Sequence, residues 1–269
     1  MWLILSLLAA LLFAATNVID KYLISRKLPE ASAGAMTILT GFVSVPFVVV
    51  FGWLARAELG RYDAAHAAGA IAAGLLLAGA INLYYRSLAI GDTTTVVILF
   101  QLSVVFNYFL GWVFLGEHIT ALQTLLLIAV VATSVGIDLW RSGGTFRMGG
   151  RLGAMMVVAS LAASASDVVF KRVALGTSYL PTQFFIYVAA VMLAAAMFAL
   201  STQARRVWLE ALHQRHDALA LAAANESISL VGLTMVNLAL LLAPIAFVQA
   251  AVSAQGVFTL LFRKLRREE

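Results

Sequence analysis

Long apolar runs alternate with short polar gaps along almost the whole chain. A helix rises 1.5 Å per residue and a hydrocarbon core is about 30 Å thick, so about 20 consecutive apolar residues mark a crossing. Nine stretches qualify: 2–20, 33–54, 67–89, 93–116, 121–140, 152–172, 182–200, 218–241 and 243–262. Most gaps between them are too short to fold independently. The longest are 55–66, 141–151 and 201–217. The segment 141–151 is glycine-rich and basic and reads as a linker. It divides the chain into halves 1–140 and 152–269. The opening run, Met1 to Ile19, has no basic stretch before it and no small-residue cleavage site after it. It is expected to be a permanent first helix rather than a signal peptide.

The halves resemble each other. Ala14-Ala-Thr-Asn-Val-Ile-Asp-Lys21 aligns with Ser164-Ala-Ser-Asp-Val-Val-Phe-Lys171, and Ile81-Asn82-Leu83 with Val236-Asn237-Leu238. A repeat of five helices has odd parity, so the second copy must run upside down relative to the first. The expected fold is therefore all-α: a polytopic transmembrane bundle of about nine helices, built as an inverted repeat of five-helix halves with the last helix missing. Equivalent residues such as Asn17 and Asp167 should lie at opposite depths about an in-plane pseudo-two-fold axis. Inverted repeats of this kind are common among secondary transporters, whose solute sites lie between the halves near the midplane.

Composition strengthens the membrane reading. The chain of 269 residues is 62% hydrophobic and 12% charged, against about half apolar and a quarter charged in soluble domains. Its net charge of +5 does not indicate nucleic acid, because the basic residues sit in the gaps between apolar runs. Fourteen of the eighteen follow the odd-numbered helices: Lys21, Arg26, Lys27, Arg86, Arg141, Arg147, Arg151, Arg205, Arg206, Arg215, Arg263, Lys264, Arg266 and Arg267. Arg56, Arg61, Lys171 and Arg172 lie on the other side. The positive-inside rule then puts the first helix's start outside and the basic tail, Arg263 to Arg267, in the cytoplasm. With no cysteine, disulfide and thiol chemistry are excluded.

A few polar residues inside the apolar runs are candidates for chemistry. Glu226 falls about 14 Å into its helix, close to the midplane, where a charge costs roughly 2.5–3.5 kcal/mol on insertion scales. It is a candidate to bind and release a proton, with a structural hydrogen-bonded carboxyl as the alternative. Asn237, about 20° around the same helix, and Ser229 extend its polar stripe. Asp167 and Lys171, four apart, are expected to pair on one helix face, as Asn17 and Lys21 repeat the arrangement in the other half. The lysines either brace helix ends by snorkelling or line two mouths of a pathway. Gln101 and Tyr108 share a face of the fourth helix beside Asn107, and Gln249 and Ser253 share one on the ninth. They serve as solute contacts or as helix–helix glue. Ala70, Gly74, Ala78 and Asn82 form a small-residue packing ridge, as do Ala159, Ala163 and Asp167. Glu117 is expected to be structural at a helix end. The four histidines lie in loops or at helix ends without metal spacing, so neither a metal nor another cofactor is expected. No nucleophile–histidine pair lies inside the membrane, so no enzyme is expected.

Several short segments resemble the EamA-like, ten-helix members of the drug/metabolite transporter superfamily. They are Asn17-Val-Ile-Asp-Lys-Tyr-Leu23, Tyr84-Tyr-Arg-Ser-Leu-Ala89, Val96-Val-Ile-Leu-Phe-Gln-Leu-Ser103, Leu115-Gly-Glu-His-Ile-Thr120, Asn225-Glu226 and Ala243-Pro-Ile-Ala-Phe-Val-Gln249. The sequence departs from that pattern at Val104, where the family often has proline, and in lacking a tenth helix. The resemblance implies a secondary carrier of a small metabolite, such as an amino acid or drug-like solute, in the inner membrane. Its partners would be lipid, the solute and, if transport is coupled at Glu226, protons, and a homodimer is compatible. The substrate or coupling candidates are Glu226, Asn237, Asn17, Asp167, Gln101, Tyr108, Asn82 and Gln249. The competing reading is a membrane scaffold subunit without transport. A carrier should bring Glu226, Asn237, Gln101 and Asn17 to one cavity; a scaffold should scatter them among separate interfaces.

Overall fold

The computed structural model describes residues 1–23, 33–91, 93–141 and 149–258, and every regular element among them is helical. In chain order these are α1 (Trp2–Tyr22), α2 (Ala33–Leu54), α3 (Arg56–Leu59), α4 (Ala64–Ile90), α5 (Thr93–Phe100), α6 (Leu102–Leu115), α7 (Ala121–Arg141), α8 (Gly150–Gly176), α9 (Tyr179–Leu200), α10 (Thr202–Gln214), α11 (His216–Leu240) and α12 (Ile245–Val252). Among the described residues, seven spans are long and apolar enough to cross a membrane: α1, α2, α4, the α5–α6 pair, α8, α9 and α11. Ala121–Thr133 and Ile245–Phe258 are apolar but shorter. Phe42, Trp53, Trp112 and Val113 are among many large apolar side chains left on the outside. That surface suits lipid, and the fold is a polytopic membrane bundle.

Two expected spans are interrupted. The fourth breaks at Gln101, between α5 and α6. There the Gln101 amide donates to Ile98 O at 3.1 Å and the Val104 amide to Gln101 O at 3.0 Å, a tighter turn than an α-helix makes. The β-branched run Thr93-Thr-Thr-Val-Val-Ile98 favours helix weakly. A break frees carbonyls, which have no water to turn to inside a membrane. Two serines one turn apart on α8 bond the carbonyls flanking it: Ser160 to Leu99 O at 3.3 Å and Ser164 to Ser103 O at 2.9 Å. The ninth span tightens in the same way after α12, with Ala254 N donating to Ala251 O and Gly256 N to Ser253 O. Ser253 stands 152 residues after Gln101, close to the offsets of 150 and 155 residues at which the two stretches of sequence align. The rest of 243–262, from residue 259, lies outside the described residues, as does the basic tail. Residues 24–32, with Arg26 and Lys27, and most of the linker lie outside them too.

The gap 201–217 also differs from expectation, because it holds α10. Ser201 caps this helix by accepting from Ala204 N at 3.2 Å. One face buries Ala204 and Trp208, and the Trp208 ring stacks on Phe42 at 5.3 Å. The opposite face carries exposed Arg206 and Glu210. A search for twenty apolar residues cannot see such an amphipathic helix.

Helix pairing follows a simple rule. α2 packs along α9 and, less extensively, against α11; α4 packs along α8 and α9, α1 along α11 and α12, and α6 against α8 and α12. Exchanging α1, α2, α4 and α6 with α8, α9, α11 and α12 turns this set into itself: α4–α8 becomes α11–α1, and α6–α8 becomes α12–α1. Close approach depends on small residues. A Cβ on Gly74 would stand 2.5 Å from Ala189 Cβ and 2.8 Å from Ile186 O, so glycine lets α4 meet α9.

Candidate functional site

A cavity of about 210 Å³ lies among α1, α2, α4, α5, α6, α8, α11 and α12, so residues of both sequence halves line it. Both helix interruptions reach it, through Gln101 and Ser253. Its polar lining includes three carboxyl side chains: Asp20, Asp167 and Glu226. Asp167 and Glu226 are buried and Asp20 is partly buried, and each is held by neutral donors. The Tyr85 hydroxyl donates to Glu226 Oε1 at 2.5 Å. Asn225 Nδ2 donates to Asp20 Oδ1 at 2.7 Å. Asn107 Nδ2 and Gln249 Nε2 donate to Asp167 Oδ2 at 3.0 and 2.8 Å. No Lys, Arg or His occurs among the described lining residues. The remaining wall is aromatic and aliphatic, with Phe13, Tyr84, Tyr85 and Phe100 prominent; the Tyr84 and Phe100 rings stand 5.6 Å apart. Gln101 is 5% exposed, and its Nε2 has no hydrogen-bond partner.

One turn beyond Asp167 on α8 the environment changes. Lys171 is buried, and its Nζ bonds Glu117 Oε1 at 2.6 Å and Ala243 O at 2.6 Å. The other Glu117 oxygen accepts from Ile245 N at 2.8 Å, satisfying an orphan amide at the start of α12. Gly116, at φ 65°, turns the chain in the left-handed region so that Glu117 points back over Gly111. The ends of α6 and α8 and the α11–α12 turn are thereby fastened together. This corrects two expectations. Lys171 does not pair with Asp167 but reaches the opposite way, since a carboxylate and a carbonyl await it at the helix end. Nor does it snorkel: its ammonium is enclosed. The side chain of Lys21 lies outside the described residues.

Of the sequence candidates, Glu226, Asn17, Asp167, Gln101 and Gln249 meet at the cavity. Asn17 Nδ2 also donates to Gln255 Oε1 at 3.3 Å across the α1–α12 contact. Three candidates lie elsewhere. Asn237 donates to Gln183 Oε1 at 2.9 Å in the α9–α11 seam. Its angle around α11 matches Glu226, but eleven residues separate them by about 16 Å along the axis. Tyr108 packs with Val104, Leu127, Ala246 and Ala250. The break at Gln101 spoils the seven-residue register that had put the two on one face. Asn82 donates to Thr37 Oγ1 at 2.7 Å and is glue between α2 and α4.

Sequence reasoning passed over Asp20, Tyr85 and Thr40, which also line the cavity. Asp20 had a readable signal: it stands three residues after Asn17, on the same helix face. Tyr85 had none, because tyrosine near a helix end reads as an ordinary interfacial residue. Among the described residues, no three His, Cys, Asp or Glu side chains are grouped to hold a metal ion.

Comparison with known proteins adds one finding: residues 1–137 match the EamA-like transporter family. No curated protein matches the chain.

Proposed function

The chain belongs to the EamA-like transporter family, and from that premise we propose that it is a secondary carrier of a small solute in the inner membrane, working by alternating access between two inverted halves, with Glu226 coupling transport to protons. The observation that carries the reading is the cavity itself. It lies between the halves, both interrupted helices border it, and its carboxyl groups have no cationic partner among the described lining residues. Interrupted helices at corresponding positions of two repeats mark solute sites in many carriers. The exchange symmetry of the helix pairs supports an inverted repeat, because five helices per half reverse direction.

Each part then has a task. The Lys171–Glu117 end is the closed end of this conformation. At its other end the cavity reaches Asp20, Tyr84 and Tyr85, near the ends of α1 and α4, and in this reading that is the side that opens. By the positive-inside argument the open side is cytoplasmic. Glu226 faces Tyr85 from α4 and shares the cavity with Asp20 of α1 and Asp167 of α8. Protonation changes its charge without removing its hydrogen-bond partner, so the group is built to exist in two states. Three of the four discriminating residues, Glu226, Gln101 and Asn17, converge on the cavity, while Asn237 lies in the α9–α11 seam; the convergence of the three favours a carrier over a scaffold.

The test is solute profiling in reconstituted vesicles with and without a pH gradient. A gradient should drive accumulation of at least one solute, and Glu226→Gln should abolish the response to the gradient while leaving insertion intact. Full gradient-driven transport by that variant would remove the coupling role.

A further inference from the structure

We propose that the cavity selects small organic cations lacking a carboxylate, such as amines and quaternary ammonium compounds, over zwitterionic amino acids. The inference rests on the carrier reading and deepens it. It starts from charge. Asp20, Asp167 and Glu226 line one cavity, and no basic side chain stands among its described lining residues. None of the three makes an ion pair among the described residues; their partners are a phenol and three amides. In a site walled from water, an ionised carboxylate without a counter-charge is costly. A bound cation supplies that counter-charge. A solute carboxylate would instead face three like groups with no Lys, Arg or His among the described lining residues to receive it.

The walls agree with this choice. Phe13, Tyr84, Tyr85 and Phe100 present ring surface to the same space. Aromatic faces attract ammonium groups, by about 0.5–2 kcal/mol per good contact, and enclose quaternary ammonium ligands in other proteins. A metal ion is a poorer fit, since no three acidic or imidazole side chains are grouped to hold one among the described residues. Gln101 gives an independent pointer to a ligand. Its Nε2 is buried at the helix break, borders the cavity and has no partner among the described residues. Buried donors left unmatched are rare and call for an explanation. A solute with a hydroxyl or ether oxygen would provide the acceptor. A volume of about 210 Å³ is below the roughly 300–1,000 Å³ of pockets for drug-sized ligands, so the solute is small.

The experiment compares molecules that differ in one charged group. Tyramine, L-tyrosine and 4-ethylphenol share a ring and differ in ammonium and carboxylate. Each is titrated calorimetrically into the purified full chain in nanodiscs, with choline as a quaternary probe. Tyramine or choline should bind at least about ten-fold more tightly than tyrosine and 4-ethylphenol, a difference of one decade in Kd. Asp20→Asn and Glu226→Gln should each weaken that binding by a similar factor, and melting curves should show both variants folded. The wild-type ligand series needs no variant and stands even if one fails to accumulate. Tyrosine binding as well as tyramine, 4-ethylphenol binding as well as either, or no saturable binding by both cations would overturn the proposal. Gradient-driven transport of an amino acid with no response to cations would sink the cation assignment and leave the carrier reading standing. Absence of any solute transport would sink the carrier reading itself.

Discussion

Asp167 and Lys171 lie one helical turn apart on α8, yet they belong to two regions that treat charge in opposite ways. At Lys171 the ammonium has a carboxylate and a carbonyl within 2.6 Å, and the carboxylate's second oxygen caps another helix. Every partner is protein. At Asp167, and at Asp20 and Glu226 across the cavity, the carboxyl groups have neutral donors and an adjoining space. The first arrangement holds three helix ends together. On the proposed reading, the second leaves charge to be balanced by a solute or proton that comes and goes. Buried ionisable residues in a membrane bundle are therefore not one class: what matters is whether the counter-charge is built in.

The largest effect should come from opening the paired region. Lys171→Met leaves Glu117 enclosed without its cation and should cost about 3–5 kcal/mol, read as a lower melting temperature in detergent. Adding Glu117→Gln removes the stranded charge while keeping an oxygen for Ile245 N, so the double variant should recover most of that loss. No recovery would mean that the pair acts through packing alone. In the cavity the order of effects reverses. Glu226→Gln should change stability by less than about 1 kcal/mol, since the amide oxygen still accepts from Tyr85, while transport loses its response to pH. Tyr85→Phe removes that donor and should cost about 1 kcal/mol, less than the single Lys171 change. A cavity variant as damaging to stability as Lys171→Met would erase the distinction.

The smallest effect lies outside the bilayer, where Asp63 caps α4. The His66 amide donates to Asp63 Oδ1 at 2.8 Å and the His66 ring approaches Oδ2 at 2.7 Å. The backbone bond first, then the ring, holds this carboxyl below its ordinary value of 3.8. A carboxyl lowered by folding adds stability above its unfolded pKa and loses it as pH falls through the folded one. The melting difference between wild type and Asp63→Ala should therefore be full at neutral pH and shrink below about pH 4. A difference that persists unchanged in acid would mean that the cap does not depend on the charge.

The sequence carried the spans well, because a stretch such as 33–54 owes its helix to lipid and length alone, and α2 occupies those residues. Where tertiary contacts decide, the pattern was blind. The break at Gln101 depends on Ser160 and Ser164 of another helix to satisfy the freed carbonyls. The face of Tyr108 depends in turn on that break. Glu226, Asn17 and Gln101 could be picked out because a polar group inside an apolar run is costly wherever it points. Which of them share a space could not, since the angle around a helix omits depth, as Asn237 shows. The partner of Lys171 lay 54 residues away on the turn after α6, while the local spacing favoured Asp167.

The comparison of the two regions can be tested without knowing the solute. The chain has no cysteine, so Ser229→Cys places a single thiol on the cavity wall. A membrane-impermeant thiol reagent is applied to sealed vesicles from either side, with and without the Lys171→Met/Glu117→Gln double change. With the pair intact, labelling should be faster from the side where α1 and α4 end. With the pair removed, the rate from the opposite side should rise toward the first. Equal labelling from both sides with the pair intact, or no change when it is removed, would contradict the division into an open site and a fastened end.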